Sequence, residues 1–506
     1  MKKILCATLD TLDAKIVNVE VSFVRALPSF AIVGLAQTSI QESKERIKSA
    51  LSAVEFKFPP QKVTVNLSPS DLKKSGSHFD LPISLLIALQ KSKMDFDNYF
   101  AFGELGLDGE LKDTTSIFPL ILSLSNELRE KTIIIPKKSF EKISKIPELN
   151  LIAVDTLKEA LDIFQTDDFS AKQTKSLIDS KYIEIKEQKY FYQEDFVEDF
   201  IDIKGQLRSK RASLISASGM HNILYEGSPG CGKSMSAKRL RYILPPLKLE
   251  EILHHAKLDS LIGKEPNFKP LRESRNPHHS ASKASIYGGG IKEAKIGEIA
   301  LSHNGILFFD ELPHFPKNIL ESLREPLQDY KALVSRVNSK VEYDTKFLFV
   351  GAMNPCPCGN QLSQTKECRC SDLELKRYKN RLSAPLLDRI DLYVQMEEIK
   401  TTDKPTISSS EMFEKVLIAF KAQMSRGQSE LNGKLSDSEI LKYCFLSEDL
   451  KSILDSAIIR FELSQRAINN ILKVSRTIAD IDCSHDIEKS HLLEALSFRM
   501  KYEESI

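Results

Sequence analysis

Apolar and polar positions change rhythm three times along the chain. Up to about residue 165, short runs with strand-like alternation (KIVNVEVSFV, KVTVNLSP, KTIIIPKK) exchange with stretches at helical spacing (SIQESKERIKSALSAV, LPISLLIALQKSK), the pattern of a mixed α/β domain over 1–165. Residues 166–195 are polar, charged and weakly periodic, and read as a linker. From 196 to 400 strand, loop and helix repeat as in a doubly wound α/β domain. After Thr401 strands fade and helices dominate through 401–506. In KSILDSAIIRF, Ile453, Leu454, Ala457, Ile458 and Phe461 fall on one face at helical spacing. The expected fold class is α/β with a helical C-terminal part.

Composition narrows the partners. The 71 Lys+Arg and 70 Asp+Glu cancel, so any binding to nucleic acid or membrane has to come from local patches. Residues 204–241 hold eight Lys/Arg against one acid; part of that charge serves the motif described next, and the rest reads as a solvated face. The start, MKKILCATLDTLDAK, has no apolar run of signal-peptide length. No stretch approaches about 18 uninterrupted apolar residues, so neither an export signal nor a transmembrane helix is expected. Eight cysteines, half of them in one cluster, fit a reducing cytoplasm better than a disulfide scaffold.

Gly227, Ser228, Pro229, Gly230, Cys231, Gly232, Lys233 and Ser234 spell G-x-x-x-x-G-K-S between an apolar strand, NILYE, and a helix, SMSAKRLRYIL. Backbone N–H groups of such a loop wrap phosphates at a helix N-terminus. Lys233 would reach the β- and γ-phosphates, and the Ser234 hydroxyl would ligate Mg2+. Downstream, GILFFDEL ends an apolar strand on two acids. Asp310 is expected in the Mg2+ shell, and Glu311 is expected to orient the attacking water. Together these predict hydrolysis of a nucleoside triphosphate, with ATP and Mg2+ as cofactors.

Three further stretches resemble ring-forming AAA+ ATPases. FLFVGAMN looks like the sensor-1 strand, which implies that Asn354 contacts the γ-phosphate or the water. LLDRID resembles the segment that lends an arginine finger to a neighbouring subunit, making Arg389 the candidate. LSQRAINNILKVSRTIAD, after a Ser464 N-cap, resembles the sensor-2 helix of the lid, with Arg466 in its first turn. An arginine acting in trans implies an oligomer, in this superfamily a hexameric ring. NPHHSASKASIYGGGIKEAKIGEIALSHNG and LPHFPKNILESLREPLQDYKALVSRVNSKVEYDTKFLFVGAMNPCPCG narrow the resemblance to magnesium-chelatase-like ATPases of the ComM/YifB family. It extends over essentially the whole chain. The family implies an AAA+ domain with a helix-2 insert around Gly288–Gly290 and a pre-sensor-1 hairpin, KALVSRVNSKVEYDTKF, pointing into a pore. Lys331, Arg336 and Lys340 on that hairpin are then candidates for tracking a DNA backbone. His278 and His279 read as loop residues, with metal binding the sharper alternative.

The first 165 residues resemble the proteolytic domain of Lon at IVGLAQTSIQESKERIKSAL, LKKSGSHFDLPISLLIAL and FGELGLDGELKDT. That chemistry needs a Ser activated by a Lys. Here His78 stands at the Ser position, with Ser77 one residue out of register, and Phe118 at the Lys position. The resemblance therefore implies a non-catalytic domain used for assembly or substrate binding. Family membership implies a cytoplasmic, ATP-driven hexameric motor on single-stranded or branched DNA, promoting branch migration or unwinding while transforming DNA is integrated. The alternative is a magnesium-chelatase-like or chaperone-type ATPase that remodels a protein partner. Against the magnesium-chelatase form stands the Lon-like domain, which that subunit is expected to lack.

Immediately after Asn354, Cys356, Cys358, Cys368 and Cys370 form C-x-C…C-x-C with nine residues between the inner pair. Four thiolates can close a tetrahedral structural Zn2+ site, although C-x2-C is the commoner spacing. Disulfide pairing and free thiols are the alternatives. A catalytic metal is not expected, because four protein ligands leave no open position.

Overall fold

A computed structural model describes residues 2–92, 94–166, 171–174, 178–289, 295–335 and 340–499. The chain divides into two compact units, Met1–Asp179 with Ile252–Phe268, and Ser180–Glu251 with Lys269–Ile506.

The first unit is built on an eight-stranded mixed sheet. Its spatial order is Lys172–Gln173, Asn150–Val154, Thr132–Pro136, Tyr99–Ala101, Lys3–Asp10, Asp13–Val24, Lys62–Ser68, Ser29–Val33. Helices Thr38–Ala53, Asp80–Ala88 and Ile117–Ser123 bury their apolar residues in its core. His78 lies 1 % exposed. Its Nε2 is 2.8 Å from Ala7 O and its Nδ1 3.2 Å from Ser116 Oγ. Burial pushes its pKa down to about 4, so the ring is neutral at pH 7. Phe118 is fully buried, and the Ser77 hydroxyl donates to Glu104. The segment 252–268 joins this unit through residues that sequence reading placed in the nucleotide-binding part: Lys257 meets Asp13 at 3.5 Å, and Phe268 packs edge-on against Phe118.

The second unit carries a five-stranded parallel sheet. Its strands are β1 (Ile223–Gly227), β2 (Ser274–Arg275), β3 (Ile306–Phe309), β4 (Leu348–Met353) and β5 (Leu392–Met396), in spatial order β2-β3-β4-β1-β5. β1, β3 and β4 are buried along their whole length, as a sheet covered on both faces requires. Helices α1 (Leu207–Gly219), α2 (Lys233–Leu240), α3 (Asp372–Lys379), α4 (Ser409–Ser425), α5 (Glu448–Phe461), α6 (Gln465–Ile481) and α7 (Lys489–Ser497) complete the frame. One hydrophobic core joins the sheet to the C-terminal helices: Ile223, Val350 and Val394 pack in the same cluster as Val416, Ile471, Val474 and Leu492. On α5 the buried face is Leu450, Leu454 and Ala457. Phe461, expected on that face, is 48 % exposed because the helix ends there, at a left-handed Glu462.

The stretch read as a linker contains an antiparallel hairpin, Lys181–Ile185 with Gln188–Tyr192. Tyr190 packs edge-on against Phe420 of α4, and Phe191 exchanges backbone hydrogen bonds with Leu247. A second hairpin, Lys331–Ser335 with Lys340–Asp344, stands where the pre-sensor hairpin was expected. No described helix is long and apolar enough to cross a membrane.

Candidate functional site

The sheet order decides what meets what. β3, β4 and β1 are neighbours and parallel, so their carboxyl ends bring together the residues that follow each strand. β1 ends at Gly227 and runs into the 227–234 loop, with α2 beginning at Lys233. Gly230 and Gly232 take φ of 86° and 98°, the left-handed turn that aims successive N–H groups into one concavity. Lys233 Nζ donates to Gly227 O at 2.6 Å, Ser228 O at 3.0 Å and Asn354 Oδ1 at 3.1 Å. Burial lowers its pKa, opposed by Cys231 and Asp310. The Ser234 hydroxyl donates to Asp310 Oδ2 at 2.8 Å. Asp310 and Asn354, both far from the loop in sequence, thus converge on it.

This pocket of polarity fits a nucleotide triphosphate with Mg2+. Ser228 Oγ is buried with no hydrogen-bond partner. Ser234 and Asp310 present two hard oxygen donors side by side, the ligand type Mg2+ takes. Glu311 follows Asp310 in a left-handed conformation, φ 52°, rare for a residue with a Cβ and concentrated at functional sites. Its N–H is fixed by Asp310 Oδ1 at 2.9 Å, while its half-exposed carboxylate lies 3.6 Å from His279 Nδ1. His278 bonds instead to Ser280 Oγ at 2.7 Å.

Arg389 and Arg466 form a separate group. Arg389 donates to Arg324 O at 3.1 Å and, with Nη2, to Gln328 Oε1; Arg466 reaches the same Gln328 oxygen at 2.9 Å. Burial, then the charges of Arg466 and Arg324, hold the Arg389 guanidinium below its usual range. Position in the sheet matters more. Asn222, five residues before Gly227, donates to Arg389 O at 2.9 Å, and Leu392 pairs with Ile223. The arginines therefore sit at the amino edge of the parallel sheet. Five strand residues at about 3.3 Å each put that edge roughly 16 Å from the loop that begins at Gly227.

Sequence reading missed Gln328, the contact of His279 with Glu311, and Tyr378. Tyr378 is buried in the same hydrophobic cluster as Phe349 and Met353, the strand residues that lead to Asn354. No local motif announces any of the three. On the hairpin, Lys331 pairs with Glu342 at 2.5 Å, an exposed intrachain ion pair that offsets its charge. Lys340 opens the second strand, and Arg336 lies outside the described residues. The thiols of Cys356, Cys358, Cys368 and Cys370 are all free and lie within 4.8 Å of one another.

Residues 199–404 match a family model described as magnesium chelatase, subunit ChlI, and 406–499 match its C-terminal counterpart. Residues 19–139 match a model described as subunit ChlI of Mg-chelatase, so this region does not separate the chain from that subunit as expected. The Competence protein ComM of Haemophilus influenzae is 37 % identical over 497 residues, covering 96 % of this chain and 95 % of that protein. The uncharacterized protein YifB of Escherichia coli is 35 % identical over 498 residues, covering 96 % and 94 %. The chain belongs to the ComM/YifB family of magnesium-chelatase-like AAA+ proteins.

Proposed function

We propose that this protein is an ATP-driven motor that works on single-stranded or branched DNA as a homo-oligomeric ring, a hexamer, in the cytoplasm, promoting branch migration or unwinding during integration of transforming DNA. The observation that carries the reading is the convergence of Lys233, Ser234, Asp310 and Asn354 in a chain that is similar, end to end, to a competence protein. In the ATP complex Lys233 and the loop N–H groups hold the β- and γ-phosphates, and Ser234 and Asp310 hold Mg2+. An Mg2+ held by Ser234 and Asp310 would supply positive charge against the phosphates. Glu311 orients and polarises the water, and Asn354 fixes it against the γ-phosphate. Arg389 and Arg466, at the far edge of their own sheet, serve the nucleotide of the neighbouring subunit; no single chain can close its own site with them. The described hairpin carries a weak basic signal, so DNA contact rests on Arg336, Lys340 and their copies around the ring. The N-terminal unit, with His78 in the place of a nucleophile, acts in assembly or substrate binding. The four thiols hold a structural Zn2+.

The test is the ATPase rate with and without single-stranded and branched DNA, alongside displacement of a labelled strand. Stimulation with displacement is expected. Absence of both refutes the motor on DNA and leaves the reading of a protein-remodelling ATPase.

A further inference from the structure

Cys356 follows Asn354 by two residues and is buried; Cys370 precedes α3 by two residues. The excursion between β4 and α3 thus leaves the nucleotide site just after Asn354 and returns to a helix whose Tyr378 packs in the same buried cluster as Met353 of β4. Within it the sulfurs of Cys356, Cys358 and Cys368 lie 3.4, 3.6 and 3.7 Å apart. Four thiolates at about 2.3 Å from a central zinc would be about 3.8 Å apart along each tetrahedral edge. Gly359 closes the first turn, its N–H on Cys356 O at 3.0 Å, with φ 79°. A Cβ built on Gly359 would meet Pro229 Cδ at 2.7 Å and Cγ at 2.8 Å. Pro229 lies inside the phosphate-binding loop, so the cysteine turn packs directly on its outer wall.

We propose that Cys356, Cys358, Cys368 and Cys370 bind one zinc ion, and that the zinc-bound turn braces the 227–234 loop and Asn354, so that zinc occupancy sets nucleotide affinity. This rests on the nucleotide reading of that loop. All four ligands come from the chain, so zinc takes no part in the chemistry. It replaces core packing for an exposed excursion: Cys358 is exposed, and Cys368 and Cys370 are only partly covered. Without the ion nothing ties the four sulfurs together, and the turn against Pro229 loosens.

The full-length protein, purified under reducing conditions without chelator, is analysed for metals and titrated with a fluorescent ATP analogue. About one zinc per chain is expected. Stripping the metal with a thiol reagent and chelator, then restoring thiols with reductant, should raise the analogue's Kd about tenfold, the loss of one charge-assisted bond to phosphate, and stoichiometric zinc should reverse it. Gly359→Val, which leaves every thiol in place, should keep its zinc and show a similar rise. Metal-free or iron-loaded protein overturns the zinc site. Zinc present with an unchanged Kd after stripping overturns the brace, and that arm needs no variant to fold. Neither readout involves DNA, so a failed DNA stimulation leaves the result intact. An analogue that does not bind even to zinc-loaded protein refutes the nucleotide reading and, with it, the brace.

Discussion

Replacing Asn354 by Ala should separate nucleotide binding from hydrolysis, and the Lys233 ammonium sets the scale of each effect. It donates to three oxygens, Gly227 O, Ser228 O and Asn354 Oδ1, of which the Asn354 bond, at 3.1 Å, is the longest, and lies 3.9 Å from Cys231 Sγ. The variant deletes that bond and leaves both carbonyl bonds in place. The freed N–H can turn to phosphate or water. The cost to binding is therefore bounded by one hydrogen bond between a charged donor and a neutral acceptor, about 1.5 kcal/mol, or roughly a tenfold rise in Kd. Hydrolysis loses more. Held by Lys233 through its side chain, Asn354 is, on the proposed reading, a fixed dipole beside the γ-phosphate. Removing one such preorganised group costs on the order of 10²–10³ in rate. Titration with a fluorescent ATP analogue gives the first quantity and single-turnover phosphate release the second. A rate within about threefold of the parent, or a Kd that rises as far as the rate falls, refutes the assignment.

Three other outcomes follow from the same geometry. Arg389→Ala should lower the ATPase rate by on the order of 10³-fold, yet mixing it with Lys233→Ala protein should recover activity, since each supplies what the other lacks; no recovery in verified mixed oligomers means the arginine acts in its own chain. His78 is held neutral well below the 6.5 of a free imidazole, so as pH falls from about 6.5 to about 4 the unfolded chain binds a proton that the folded one refuses, and stability declines by about 3 kcal/mol, all of it present again above pH 6.5. Urea titrations at several pH values should show that slope, and His78→Gln should flatten it. Asp480, 1 % exposed, accepts from Arg426, Arg476 and Asn432 at 2.5–3.1 Å; Asp480→Ala leaves those guanidinium groups facing one another and should cost about 3–5 kcal/mol, read as a lower urea midpoint.

What the chain discloses before folding depends on how local the information is. The 227–234 loop and the acids after β3 are contiguous motifs whose flanking strands are apolar, so their place at the carboxyl edge of the sheet can be read directly. The cysteine pairs converge because the chain between them is short. Other features hide for stated reasons. The hairpin at 181–192 turns on Lys186 and Glu187, at φ 51° and 67°; such a two-residue turn ordinarily advertises itself with Asn-Gly, and Lys-Glu conceals it. The residues 252–268 look like one more nucleotide-domain helix, and only Asp13 and Phe118, far away in sequence, reveal the unit they join. The meeting of Arg389 with Arg466 depends on strand order, which no window of sequence contains.

Gln328 is where that meeting happens, one amide oxygen shared by two cations. It touches neither the phosphate loop nor the acids after β3, so conventional screens for loss of nucleotide binding would pass over it. Yet a single codon change there removes the acceptor that both guanidinium groups share, leaving Arg389 only its bonds to the Arg324 and Pro385 carbonyls. Position 328 is therefore a genetic choke point. Substitutions there should act on both arginines at once, where a change at either arginine acts on one.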